Sequence, residues 1–191
     1  VLGKVLQAVF MVLNKTNFDC SNVGEHTVTL TVTDVNGNSS SATATITVVD
    51  NIAPTITAPA NINQGTDAGI CGATVNLGTP ITADNCSIAN VGNNAPTLFP
   101  VGTTVVIWTV TDVNGNSSTA TQTVVITDTE KPKITAPSLV SVVNTTGTCS
   151  APADLGKPVT SDNCGVATVT NDAPLLFPVG TTIVTWTVTD V

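Results

Sequence analysis

Five cysteines, a set of alternating aspartates and asparagines, and one histidine are the side chains of this 191-residue sequence that could do chemistry. Cys71 and Cys86 lie 15 residues apart, and so do Cys149 and Cys164. Equal spacing in two places suggests a disulfide closed locally in each, Cys71 to Cys86 and Cys149 to Cys164. A loop of that length stabilises by about 3 kcal/mol through the restricted unfolded chain. Zinc is the competing use of paired cysteines, but it needs about four ligands, and no histidine lies near either pair. Cys20 is left over, expected either as a free thiol or in a bridge between molecules.

The acidic residues suggest a hard cation, calcium above all. Asp34, Asn36 and Asn38 alternate, and Asp112, Asn114 and Asn116 repeat the pattern, like the first half of an oxygen-rich calcium loop. The bidentate acid that would close such a loop is missing, and turn formation explains the same residues. A second calcium reading uses Asp50, or Asp128 with Glu130, together with loop carboxylates such as Asp84 or Asp162. Turn-forming and capping aspartates are its competitor. No other cofactor is suggested.

Catalytic chemistry has little to draw on. His26 is the single histidine, and a Ser-His-Asp set would have to combine it with, for example, Ser39 or Asp34. The chain therefore reads as non-enzymatic, with a minor hydrolase as the alternative. A formal net charge of −8 disfavours nucleic acid, whose phosphates repel an acidic surface. No apolar run reaches the ~18 residues of a membrane helix. The apolar stretch 1–13 contains Lys4 and Gln7 and reads as a partial strand or a leader. Protein or glycan partners cannot be named, and Trp108 and Trp186 fall on the inward face of strands and not on a sugar-stacking surface.

The elements that position these residues come in a repeat. Asp34, Asp112 and Asp190 are spaced by 78 residues, as are Cys71 and Cys149, and Cys86 and Cys164. Aligned without a gap, residues 54–113 and 132–191 share 34 of 60 positions. The chain divides accordingly into residues 1–53, the C-terminal part of a first unit; 54–131, a complete unit; and 132–191, a third unit without its last strand. Residues 27–33 alternate Thr and apolar side chains, which is the period of a strand with one buried face. Val28, Leu30 and Val32 point inward there, as do Val106, Trp108 and Val110, and Val184, Trp186 and Val188. A second inward set follows: Ala42, Ala44, Ile46 and Val48, then Ala120, Val124 and Ile126. Asn36-Gly37 and Asn114-Gly115 predict type I′ hairpins between the two strands. Abundant Thr and Val, frequent Gly and Pro, and about seven short strands per unit predict an all-β chain of tandem two-sheet β-sandwich repeats. The Pro-ended links 50–54 and 128–132 predict stiff connections.

Five pieces carry a family resemblance: Ile-Thr-Ala-Pro-Ala-Asn-Ile (56–62), Gly-Ile-Cys-Gly-Ala (69–73), Ala-Asp-Asn-Cys-Ser (83–87), Phe-Pro-Val-Gly-Thr-Thr (99–104) and Thr-Asp-Val-Asn-Gly-Asn (111–116). In combination they resemble the hyalin repeat, or HYR, family over residues 54–191 and, for the C-terminal half of a unit, over 16–53. The resemblance implies an immunoglobulin-like fold and extracellular, often adhesive, roles in large multidomain proteins. Many members carry a cysteine where Trp108 and Trp186 stand. The expected function is a structural or adhesive segment of an exported or cell-surface protein; an accessory domain of a secreted enzyme is the alternative. Residues 39–49 are homologous to the strand that the third unit lacks, so self-association by strand completion is also expected.

Overall fold

The computed structural model describes residues 9–191, so the first eight residues of the 1–13 stretch lie outside it. The chain is all-β and of the immunoglobulin-like sandwich class. One 3-10 turn, Cys20–Asn22, is the helical element among the described residues. The chain gathers into two compact units. One holds the residues up to Ala58 with Thr79–Asn93 and Ile107–Ala120; the other holds Pro59–Gly78, Asn94–Val106 and Thr121–Val191.

In the first unit, Phe10–Leu13, Gly24–Thr33 and Ser39–Val48 form an antiparallel sheet in that order. Thr55–Thr57 pairs with Ile81–Ala83, and Ile88–Asn93 pairs with the 108–112 part of Gly102–Asp112. In the second unit, Ile62–Gly65 runs parallel to residues 124–127 of Ser117–Thr127, and Gly72–Ala73 pairs with Phe99–Pro100. The 132–191 segment adds three further two-stranded pairs. These are Lys133–Thr135 with Val159–Ser161, Ser150–Ala151 with Phe177–Pro178, and Val166–Asn171 with Trp186–Asp190.

The alternation decides what is buried. Val106, Val110 and Val124 are 0% exposed, and Trp108 and Ile126 are buried too. Each aliphatic side chain removed from water in this way contributes about 1.5–3 kcal/mol. The same positions elsewhere are less enclosed: Leu30 and Val32, and Val184, Trp186 and Val188, are half-buried, and Ala42 and Ala44 are exposed. Gln122 interrupts the predicted set between Ala120 and Val124. It is 0% exposed, and its Nε2 donates to the carbonyls of Ala60 at 2.7 Å and Leu77 at 3.1 Å. A buried polar group is tolerable only when paired in this way.

Two expectations are corrected. The hairpins between the long strands are not type I′, because no residue other than glycine has positive φ; Gly37 lies at φ 88° and Gly115 at 95°. The N–H of Gly37 closes onto Asp34 O at 3.0 Å and that of Asp34 onto Asn38 O at 2.9 Å. The Asp34 carboxylate accepts from the Asn36 and Asn38 amides. A carboxylate cap thus holds a three-residue loop with a single left-handed glycine.

The disulfides also pair differently from the expected local bridges. Cys20 joins Cys86, and Cys71 joins Cys164, with sequence separations of 66 and 93. Cys149 is a free, exposed thiol. Cys71 and Cys86 are each bonded to another cysteine, which excludes the local bridge. Periodicity conceals this, because a 15-residue spacing recurs whichever copy supplies each partner. Loops of this greater length stabilise by about 4–5 kcal/mol in the chain-entropy account.

Replacing Gln122 by Leu fills similar volume but leaves the Ala60 and Leu77 carbonyls without that donor. Urea denaturation should show a loss on the order of 2–4 kcal/mol. A loss below about 0.5 kcal/mol, the size of a surface substitution, would refute this role for the amide.

Candidate metal centre

The first unit gathers three aspartates from three different elements. Asp50 follows the strand Ser39–Val48, Asp84 follows Ile81–Ala83, and Asp112 ends Gly102–Asp112. Each offers a carboxylate oxygen, and the three oxygens lie within 4.8 Å of one another. The second unit repeats the arrangement with Asp128, Asp162 and Asp190. Every member of the second trio lies 78 residues after its counterpart in the first.

The local sequence aims each carboxylate. Asp84 Oδ2 accepts the amides of Cys86 at 2.8 Å and Ser87 at 3.0 Å, a turn that side chains of this length form readily. Its Oδ1 is shut off from solvent and has no hydrogen-bond partner. Asp162 reproduces this with the amides of Cys164 and Gly165, and its Oδ1 is likewise shielded and unpartnered. Asp112 is 2% exposed, and it accepts the Asn114 and Asn116 amides and the Asn116 side chain. Asp50 accepts from Ile52, Asn85 and Asn114. Asp128 Oδ1 accepts from Thr66, Glu130 and Asn163, while its Oδ2 is buried without a partner. Asp190 Oδ1 accepts the Val191 amide.

At Asp50, Asp112 and Asp128 the contacts favour the charged form. The Asn114 side chain, then the Ile52 amide, holds Asp50 below the ordinary aspartate value of 3.8. Burial opposes the charge on Asp112, and the Asn116 and Asn114 donors overcome it, so its carboxyl also lies low. Asp128 follows the same logic: burial raises it, and the Glu130 amide, Asn163 and Thr66 bring it below the ordinary value. Three carboxyl groups crowded this closely, with shielded oxygens that no protein donor satisfies, suit a cation. The donors are all oxygens, so the chemistry is that of a hard ion such as calcium, with carbonyls and water completing six to eight ligands.

Several predicted residues are placed elsewhere. Asp34 joins no such trio among the described residues; its carboxylate caps its own turn, and Asn36 and Asn38 serve as donors to it. Asn114 and Asn116 turn their amide nitrogens toward Asp50, so they orient a carboxylate and do not present ligand oxygens. Glu130 turns away from the second trio: it accepts the Gly69 amide at 2.7 Å and lies 3.8 Å from Lys133. Asp190 is a trio member that residue type alone does not single out, although projecting Asp112 forward by one period finds it. Asn85 and Asn163, each next to a bridged cysteine, carry no such signal in the sequence. His26 packs near Phe18, and its Nε2 lies 2.6 Å from Asn22 O. Its strand partner is Ile46, seven residues and about 23 Å along the strand from Ser39. Asp34 is engaged in its own turn, so Ser39 and Asp34 form no such set with His26.

Known proteins place the sequence among relatives. The family model of the HYR domain matches residues 49–126. "Hyalin" of Strongylocentrotus purpuratus is 36% identical over 152 residues, covering 74% of this chain and 13% of its own length. "Hyalin" of Lytechinus variegatus is 35% identical over 153 residues, covering 74% of this chain and 29% of its own. The "Sushi, von Willebrand factor type A, EGF and pentraxin domain-containing protein 1" of Rattus norvegicus is 32% identical over 149 residues, covering 72% of this chain and 4% of its own. The chain thus spans less than a third of each of these relatives.

The sign of the acid response follows from the lowered carboxyls. A group whose folded value lies below its unfolded value of 3.8 stabilises fully above that value and loses its contribution as pH falls through the folded one. In chelator, the thermal midpoint should stay level from about pH 7 to about pH 5 and fall below about pH 4. A midpoint that rises below about pH 4 would show that repulsion within the trios outweighs their hydrogen bonds.

Proposed function

This chain belongs to the HYR domain family, and from that we propose that it is a structural and adhesive segment of an exported or cell-surface protein, a stalk or adhesin piece that holds calcium at its two aspartate trios. The observation that carries the calcium reading is the recurrence of one three-carboxylate cluster at a 78-residue interval, with shielded, unpartnered oxygens in both copies. A turn-forming aspartate needs neither the convergence nor the orphaned oxygen. Export is supported by two disulfides, which persist in oxidising compartments. Among the described residues no helix is long and apolar enough to cross a membrane.

Calcium has a mechanical role in this reading. Asp50 and Asp128 lie in the links after the long strands, whereas their partners in each trio lie in loops and strand ends that follow. An ion coordinated by all three ties link to loop. Calorimetric titration of chelator-treated protein should find two calcium ions per chain. Calcium at about a hundredfold its dissociation constant should stabilise by about 2.7 kcal/mol per site. Asp84→Asn should remove one ion and leave the other. Identical melting in chelator and in calcium would sink the reading.

A second reading concerns partners. In the 132–191 segment a groove of about 640 Å³ is lined by Ser138, Val140, Leu155, Val184 and Trp186, among others. Ser138 and Leu155 are the period counterparts of Ala60 and Leu77, whose carbonyls receive Gln122. The counterpart of Gly102–Asp112 there is strand only over Trp186–Asp190. Strand Ser39–Val48 has a single neighbour, so its other edge is open to pairing. Insertion of this strand from a second copy would occupy the groove. Scattering should then show mass rising with concentration, and a synthetic peptide of residues 117–127 should suppress the rise. A monomer at every concentration rejects self-completion.

A further inference from the structure

We infer that each disulfide sets the ion affinity of the aspartate trio beside it, so that reduction loosens the ion and the ion in turn protects the bridge; this rests on the calcium reading above. Bridge and trio share one tetrapeptide. In Ala83-Asp84-Asn85-Cys86 the aspartate faces the trio and the cysteine is cross-linked to Cys20. Ser161-Asp162-Asn163-Cys164 repeats this with the bridge to Cys71.

Three contacts couple the two features. The first is the amide of the bridged cysteine, which donates at 2.8 Å to the aspartate two residues before it, in both copies. That bond occupies Oδ2 and leaves Oδ1 as the shielded, unpartnered oxygen. The second is the intervening asparagine. Asn85 Nδ2 lies 3.1 Å from Cys86 Sγ and 3.3 Å from Asp50 Oδ1. Asn163 Nδ2 lies 3.6 Å from Cys164 Sγ and 3.2 Å from Asp128 Oδ1. Each asparagine therefore touches a bridge sulfur and a trio carboxylate at once. The third is covalent: the loop closed by Cys20 and Cys86 contains Asp50, and the loop closed by Cys71 and Cys164 contains Asp128. Closing these loops keeps Asp50 near Asp84, and Asp128 near Asp162, before any ion arrives. Opening them makes the ion bear that ordering entropy.

Reduction is a two-electron step. A dithiol such as dithiothreitol gives two electrons and two protons to the disulfide, yielding two cysteine thiols and the cyclic disulfide of the reagent. Linkage requires symmetry: whatever factor separates the ion affinities of the bridged and open forms also separates the reduction equilibria with and without ion.

The test uses the full chain and calcium alone. In calorimetric titration, the double variant Cys71→Ser, Cys164→Ser should lose tenfold or more in affinity at one site and keep the other, while Cys149→Ser leaves both unchanged. The retained site reports that the first unit is folded, and an unchanged near-ultraviolet circular dichroism signal from Trp186 reports that the second is. Independently, the dithiothreitol concentration that half-reduces the wild-type bridges should rise with calcium relative to chelator, by the factor found in the titration. Two sites of unchanged affinity in the double variant, or a half-reduction point indifferent to calcium, overturn the inference while calcium binding itself stands. Absence of any calcium binding by the oxidised wild type overturns the underlying reading and this one with it.

Discussion

Like charges repel, and a fold that brings three carboxylates within 4.8 Å of one another must hold them there by other means. Here the means are short-range and largely local. Asp84 and Asp162 are fixed by the amides of the next two or three residues, and Asp112 by the turn that follows it. Asn85, Asn114 and Asn163, which lie within those turns, supply side-chain donors to Asp50 and Asp128. The strands end where they do so that Asp112 and Asp190 reach the cluster, and the cross-links lie one residue from the asparagines that serve it.

The core is too small to do that alone. Among the inward-facing positions, a closed set occurs over Val106, Trp108, Val110, Val124 and Ile126, while of the equivalent positions in residues 27–48 and 182–191 Val28 alone is buried and the others are half-buried or exposed. Small all-β domains with so few enclosed side chains rely on covalent staples. The two bridges reach across 66 and 93 residues and so constrain far more of the unfolded chain than a 15-residue loop would.

Period-2 alternation made the strands and their inward faces legible, because the pleat converts sequence parity directly into sidedness. It could not place Gln122, a polar residue in an inward slot, since what justifies it is a pair of backbone carbonyls distant in sequence. The hairpin positions were legible from Asn-Gly, but the turn type was not. Asp34 and Asp112 cap their loops with side-chain oxygens and leave only the glycine in the left-handed region. Residue type singles out the link aspartates Asp50 and Asp128 and the loop aspartates Asp84 and Asp162, and the structure brings them together in pairs. Asp190 is not singled out by residue type, because in the sequence it stands first as a marker of the period.

The cysteine pairing shows the deeper limit of a repeat. In a sequence of period 78, every residue has a counterpart in the next copy, so no spacing argument separates a contact within a copy from one that crosses to its neighbour. Only a second constraint breaks the tie. The aspartate trios supply one: Asp50 precedes the segment that contributes Asp84 and Asp112, so these sites already need residues from both sides of a link. Cys20 with Cys86, and Cys71 with Cys164, obey the same rule. Carboxylates and sulfurs thus report one organisation, in which a link and the loops after it are secured together, and the tetrapeptides 83–86 and 161–164 are where the two kinds of fastening meet.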